Sequence, residues 1–137
     1  MLTNFSNKKV LVVEDEEHNW LLIKEYLEIF DINPIWFKCA KAALDFLKYP
    51  DNTFQLILLD MKLPQMSGYE LAPKLKTLMP DSCIIAQTAY AMPDDEERCY
   101  RCGCDGYIAK PYTIDQLEEV VELSFIKKNK RNHAISA

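Results

Sequence analysis

The sequence predicts an α/β domain, a doubly wound (βα)5 parallel sheet with helices on both faces. Short apolar runs of strand length alternate along the chain with segments of helical period, which is the pattern of βα units. Four of these runs also stop abruptly at polar or charged groups: VLVV (10–13) at Glu14-Asp15-Glu16-Glu17, LILL (56–59) at Asp60, CIIA (83–86) at Gln87-Thr88, and GYIA (106–109) at Lys110-Pro111. Unbroken apolar runs suit strands buried on both faces, as in a parallel sheet. A chain of 137 residues makes one domain, large enough for a core without disulfides or structural metal. Its shortness favours strand order 2-1-3-4-5, with a switch point between strands one and three.

The elements follow in order. After the first strand, Trp20, Ile23, Leu27 and Phe30 form an apolar stripe with Lys24, Glu25 and Glu28 away from it, predicting an amphipathic helix from about Asn19. Asn33-Pro34 breaks that helix, and Ile35 to Phe37 make a short second strand. Ala40, Ala43, Leu44 and Leu47 recur at helical spacing, and Pro50-Asp51-Asn52 leads back to the strand ending at Asp60. A third helix runs from Gly68 to about Met79, although Pro73 removes the bond from its own amide to the Tyr69 carbonyl, so a late start or a kink is expected. Pro93 with Asp94 and Asp95 reads as a first helical turn, where proline costs nothing and acids favour the dipole. That helix ends by Gly103. Thr113 caps a last helix carrying Ile114, Leu117, Val121 and Phe125.

Composition narrows the function classes. Hydrophobic residues make up 49% and charged residues 27%, which fits a folded globular chain. No apolar run approaches the ~20 residues of a membrane helix, and MLTNFSNKK lacks the apolar core of a secretory signal, so a cytoplasmic location is expected. The net charge is −5, but Lys127, Lys128, Lys130 and Arg131 lie together after Ile126; without them 12 basic side chains face 21 acidic. A body so acidic is a poor nucleic-acid binder. The basic end reads as a solvated, frayed tail, 127–137, and residues 1–7 as an N-terminal extension. Five cysteines without an export signal read as reduced thiols. Cys99, Cys102 and Cys104 resemble half a zinc site in spacing, but a structural zinc needs four ligands and neither His18 nor His133 is close in sequence, so packing residues are expected instead.

On the predicted topology, Glu14, Asp15, Asp60, Thr88 and Lys110 project from one C-terminal edge of the sheet. Each alone would pass for an ordinary loop residue. Together they are complementary chemistry at the place where open α/β sheets bind ligands. Three carboxylates within a few Å need a counter-cation, and Mg²⁺ with oxygen ligands resolves their repulsion. Such an ion keeps open positions for a phosphoryl group, which Thr88 and Lys110 would help to cradle. Without phosphate, Lys110 should form a salt bridge to Asp60. The Lys110-Pro111 peptide, which must aim that lysine over the crevice, is expected to be cis.

The residues that carry this chemistry also carry a resemblance. Over about Lys8 to Ile126, the order of acidic pair, D-x-x-x-P-x-x-x-G (Asp60, Pro64, Gly68), Thr88-Ala89 and Lys110-Pro111 resembles the response-regulator receiver domain of bacterial two-component signalling, a flavodoxin-like fold. The resemblance implies that Asp60 is the phospho-acceptor, that Asp15 binds Mg²⁺ directly with Glu14 acting largely through water, and that the Lys62 carbonyl is a backbone metal ligand. Thr88 and Lys110 would contact the phosphoryl oxygens, and Tyr107 would turn inward with Thr88 on activation. Lys62 and Tyr90 occupy positions that vary in the family and tune the acyl-phosphate lifetime. The implied partners are a histidine kinase or histidine phosphotransfer protein as donor and a downstream protein on the face of helix four, strand five and helix five, with no direct nucleic acid or membrane contact and a monomer or a phosphorylation-driven dimer. The run IIAQTAYAMPDDEE is similar to receivers of hybrid histidine kinases, which leaves a receiver acting within such a kinase as an alternative.

Other functions on this fold fit less well. An aspartyl-phosphate phosphatase of the haloacid-dehalogenase type needs a second aspartate two residues after the nucleophile, where this chain has Lys62. A nucleotide or flavin module needs a glycine-rich phosphate loop, and Gly68, Gly103 and Gly106 are the only glycines, none of them after strand one. A phosphate-blind relative of the receiver would not carry an intact site. The expected role is therefore a phosphorylation-dependent switch rather than an enzyme.

Overall fold

The computed structural model describes residues 8–89 and 92–136, with side chains through Arg131. Residues 1–7 and Tyr90 lie outside the described residues. Five strands and five helices alternate: β1 (Val10–Val13), α1 (Glu17–Ile29), β2 (Ile35–Phe37), α2 (Ala40–Leu47), β3 (Leu56–Asp60), α3 (Gly68–Leu78), β4 (Cys83–Thr88), α4 (Pro93–Arg101), β5 (Gly106–Ala109) and α5 (Ile114–Ser136). All pairings are parallel and the order is β2-β1-β3-β4-β5, as the sequence predicts.

Alternation along the strands builds two cores. Leu11, Val13, Ile57, Leu59, Ile84 and Ala86 point to one face and pack with Ala43, Leu71, Leu75 and Cys99 of α2, α3 and α4. Val10, Val12, Leu56, Leu58, Ile85 and Ile108 point to the other and pack with Trp20, Ile23, Leu27, Leu117 and Val121 of α1 and α5. Both faces of the central strands are covered, which is why β1, β3 and β4 read as unbroken apolar runs. The strand that ends in Asp60 lies between its two parallel neighbours, β1 and β4.

Helix ends follow local chemistry. Ser67 caps α3 by accepting from the Glu70 amide, and Pro93 opens α4 with Asp94, Asp95 and Glu96 in its first turn. Thr113 and Gln116 form a reciprocal capping box at α5: the Gln116 amide donates to Thr113 Oγ1 at 3.2 Å and the Thr113 amide to Gln116 Oε1 at 2.9 Å. Helix α3 does not start late, because it runs from Gly68 through Pro73 as one element.

The basic end behaves differently from the expected frayed tail. Helix α5 continues past Ile126, so that Lys128 is buried and meets Asp105 Oδ1 at 3.6 Å, while Arg131 reaches the same oxygen at 2.7 Å. Lys76 of α3 meets Asp105 at 3.0 Å and the Ile84 amide donates to it at 2.9 Å. A buried carboxylate needs such partners. Asp105 thus ties the later turns of α5 to α3 and β4.

Candidate functional site

The C-terminal edge of β1 is held in place before any side chain acts. The Glu14 amide donates to the Phe37 carbonyl at 3.1 Å, carrying the β1–β2 ladder one residue further, and Trp36 Nε1 donates to the Glu14 carbonyl at 2.8 Å. Trp36 is stacked on Trp20 with ring centroids 4.8 Å apart. The Glu14 side chain consequently points inward and is fully buried, whereas Asp15 is the most accessible of the three acids.

At the end of β3 the Met61 amide donates to the Gln87 carbonyl at 3.0 Å and the Lys62 amide donates to Asp60 Oδ1 at 3.0 Å. The loop then closes on itself. The Gly68 amide donates to the Met61 carbonyl at 3.0 Å, and a Cβ on Gly68 would lie 2.6 Å from the Asp60 carbonyl oxygen and 2.6 Å from Met61 Cα. This close approach is the physical reason for glycine at the end of D-x-x-x-P-x-x-x-G. Gly68→Ala should therefore cost about 1–3 kcal/mol of stability, read by urea denaturation; an unchanged midpoint would show that the loop can yield.

Lys110 is aimed from β5 by three contacts. Its amide donates to the Thr88 carbonyl at 2.7 Å, the Tyr112 hydroxyl donates to Gln87 Oε1 at 2.6 Å, and the Tyr26 hydroxyl donates to the Tyr112 carbonyl at 3.0 Å. The Lys110-Pro111 peptide is cis, as expected. The ammonium lies 2.7 Å from Glu14 Oε1 and 3.5 Å from Asp60 Oδ2. The expected contact with Asp60 is present, but Glu14 is the nearer partner. Electrostatics explain the preference: burial pushes the Asp60 carboxyl up to about 8, a hydrogen bond to Glu14 pushes in the same direction, and Lys110 opposes them.

Glu14, Asp15 and Asp60 bring one carboxylate oxygen each to within 4.8 Å of one another. An all-oxygen set open on the Asp15 side suits a hard divalent cation that retains waters, Mg²⁺ above all. Cys99, Cys102 and Cys104 make no comparable group among the described residues, and all five cysteines are free. Thr88 is buried at the end of β4, on the crevice that Met61, Lys62, Asp95 and Arg98 also line. Tyr107 is half-buried and packs against the core that holds Cys99.

Four side chains escape sequence reasoning. Gln87 and Tyr112 form the buried pair beside Lys110, and Tyr69 donates its hydroxyl to Asp95 while Arg98 stacks 3.7 Å from the Tyr69 ring centroid. The last contacts join α3 to α4 at the rim of the crevice. Their only sequence signal is that Tyr69 and Arg98 flank motif positions.

Comparison with known proteins agrees with this geometry. The chain is 36% identical over 119 residues to the polar-differentiation response regulator DivK of Brucella ovis, covering 84% of this chain and 94% of that protein. The DivK protein of Brucella anthropi is 35% identical over 117 residues, with the same coverage. Among solved structures, the CheY-like response regulator receiver domain protein of Methanospirillum hungatei superposes with a TM-score of 0.79 at 29% identity, over 90% of this chain and 98% of that one. The family model of the response regulator receiver domain matches residues 10–122, the span that contains every strand and each of the converging side chains, and this chain belongs to that family.

Proposed function

We propose that the domain is a phospho-accepting switch in a two-component phosphorelay, with Asp60 as the acceptor. The observation that supports this most is the meeting of the Asp60 carboxylate with Glu14, Asp15 and Lys110 at the end of β3. Asp60 Oδ would attack the phosphorus of a phosphohistidine on a kinase or phosphotransfer protein; the P–O bond forms as the P–N bond breaks, and the imidazole leaves. Such a transfer needs positioning and charge neutralisation more than covalent assistance. Bound Mg²⁺ would supply part of that neutralisation, held by Asp15 and Asp60 directly, by Glu14 through water and by the Lys62 carbonyl. Lys110 would move its charge from Glu14 to the phosphoryl oxygens, and the Thr88 hydroxyl would donate to them.

The matched DivK proteins are of receiver length, which favours this reading over a receiver acting within a hybrid kinase. Among the described residues no helix is long and apolar enough to cross a membrane. Incubating the full chain with Mg²⁺ and acetyl phosphate should add the mass of one phosphoryl group, and EDTA should prevent it. Absence of any mass gain with Mg²⁺ present would overturn the proposal.

Two further expectations follow from the same assignment. Mg²⁺ affinity should fall at least about tenfold in Asp15→Ala and less in Glu14→Gln, because the shorter, more open carboxylate suits direct ligation. Tryptophan fluorescence is a local readout, since Trp36 is bonded to the Glu14 backbone; equal losses would contradict the ranking. Phosphorylation should also draw Thr88 toward Asp60 and shift Tyr107 inward, altering the face of α4, β5 and α5 where a downstream protein would dock. The Tyr107 side-chain NMR signals should then differ between the two forms, and identical signals would rule out the coupling.

A further inference from the structure

We propose that Gln87 and Tyr112 are positioning residues for phosphoryl transfer: their buried side-chain hydrogen bond fixes the turn at Lys110-Pro111, and through it the ammonium that meets the incoming phosphoryl group. This role rests on the reading of Asp60 as acceptor and concerns two side chains that act through Lys110. Pro111 has no amide proton to donate, so its own backbone cannot tie the turn down. Tyr112 takes over the anchoring. Its hydroxyl donates to Gln87 Oε1 on β4 at 2.6 Å, and its carbonyl accepts from the Tyr26 hydroxyl on α1 at 3.0 Å. The Lys110 amide donates to the Thr88 carbonyl at 2.7 Å. The lysine backbone is thus held on both sides, and from there its ammonium reaches Glu14 at 2.7 Å and Asp60 at 3.5 Å.

Gln87 is out of character for its place. Cys83 and Ile85 alternate with it along β4 and pack into the apolar core with α1 and α5, where a third apolar side chain is the expected occupant. Gln87 is instead a fully buried amide, in register with Asp60 on β3 and Ile108 on β5. Its Nε2 has no hydrogen-bond partner among the described residues. Burying that donor unpaired costs stability, whereas a leucine beside a phenylalanine would carry no such cost. Tyr112 is buried as well, and burial pushes the titration of its hydroxyl up, so the group stays a donor. A polar pair held at a net cost, in register with the acceptor and one residue before Thr88, is placed for aim rather than for stability.

Aim matters here because Lys110 has to pass its charge from Glu14 to the phosphoryl oxygens. With the backbone pinned, only the torsions of the lysine side chain change in that step. Without the bond between Tyr112 and Gln87 the turn is free to tilt, and the ammonium is spread over several positions. Transfer rates depend steeply on such placement, an error of about 1 Å costing on the order of a hundredfold.

The test compares the full chain with Tyr112→Phe, Gln87→Leu and the two substitutions together. Each single change strands one polar partner and should lower the urea midpoint, whereas the double change removes both partners and should return the midpoint to the wild-type value or above it. Phosphorylation by acetyl phosphate at saturating Mg²⁺ should nonetheless stay at least about tenfold slower than wild type in the double variant. The Lys110 ammonium is followed separately by NMR, with no phosphodonor or metal, and its protons should exchange faster in the variants than in the wild type. Recovery of the transfer rate together with stability, or a Lys110 ammonium signal identical to wild type, would overturn the proposal. If the double variant folds poorly, the same signal in Tyr112→Phe, which removes a single oxygen, decides it. A wild type that takes up no phosphoryl group would instead overturn the reading of Asp60, and the transfer role with it, whatever the Lys110 signal does.

Discussion

Asp60→Asn is expected to make the metal-free protein more stable, and by more near pH 8 than near pH 5. The folded Asp60 carboxyl keeps its proton up to about 8, whereas in the unfolded chain it titrates near 3.8. Between those values the folded state binds more protons than the unfolded state. Stability therefore falls as pH rises through that window. Asparagine has the same shape and never ionises, so the gain should reach about 1–3 kcal/mol at the alkaline end. Urea denaturation in EDTA across this range measures it, and added Mg²⁺ should narrow the difference by stabilising the wild type. A variant less stable than wild type at pH 8 would mean that the Asp60 charge is already well compensated by Lys110.

Lys110→Ala should have the opposite and larger effect, a loss of about 3–5 kcal/mol, because it strands a carboxylate inside the fold. Glu14 is fully buried, and its only cation at ion-pair distance among the described residues is Lys110, 2.7 Å away. The control is the pair of substitutions together. If the loss comes from the stranded charge, Lys110→Ala with Glu14→Gln should recover at least half of it. An equal loss in the single and double variants would place the cost in packing of the lysine stem instead.

The two effects mark how far sequence could be read. Strand order, both cores and the common edge of Glu14, Asp15, Asp60, Thr88 and Lys110 were legible because central parallel strands must be apolar throughout, so a polar residue at a strand end stands out. Which carboxylate Lys110 would favour was not legible. That choice depends on relative burial across a separation of 96 residues, and no local pattern encodes it. The Asp105 cluster was hidden for the same reason, since Lys76 and Arg131 are 29 and 26 residues away from it.

The end of α5 did carry a signal. Leu117, Val121, Ser124 and Lys128 fall at helical spacing and all are buried, so the stripe that begins in the core continues into the lysine-rich end. Charge composition pointed to a solvated tail, whereas the buried positions keep their helical spacing through Lys128. Packing followed the periodicity. Similarly, Pro73 suggested a late start or a kink in α3, but the helix begins at Gly68 and runs on through Pro73, with Leu71, Ala72 and Leu75 buried around it.

The central claim, that the carboxylate at the end of β3 is where the phosphoryl group arrives, is tested most directly by mapping it. Wild type and Asp60→Asn would each be incubated with acetyl phosphate and Mg²⁺, then weighed and digested under conditions that preserve acyl phosphates. The account predicts one phosphoryl group on the wild type, on the peptide containing Asp60, and none on the variant. Mg²⁺-dependent phosphorylation that persists in Asp60→Asn, on Asp15 or elsewhere, would contradict it.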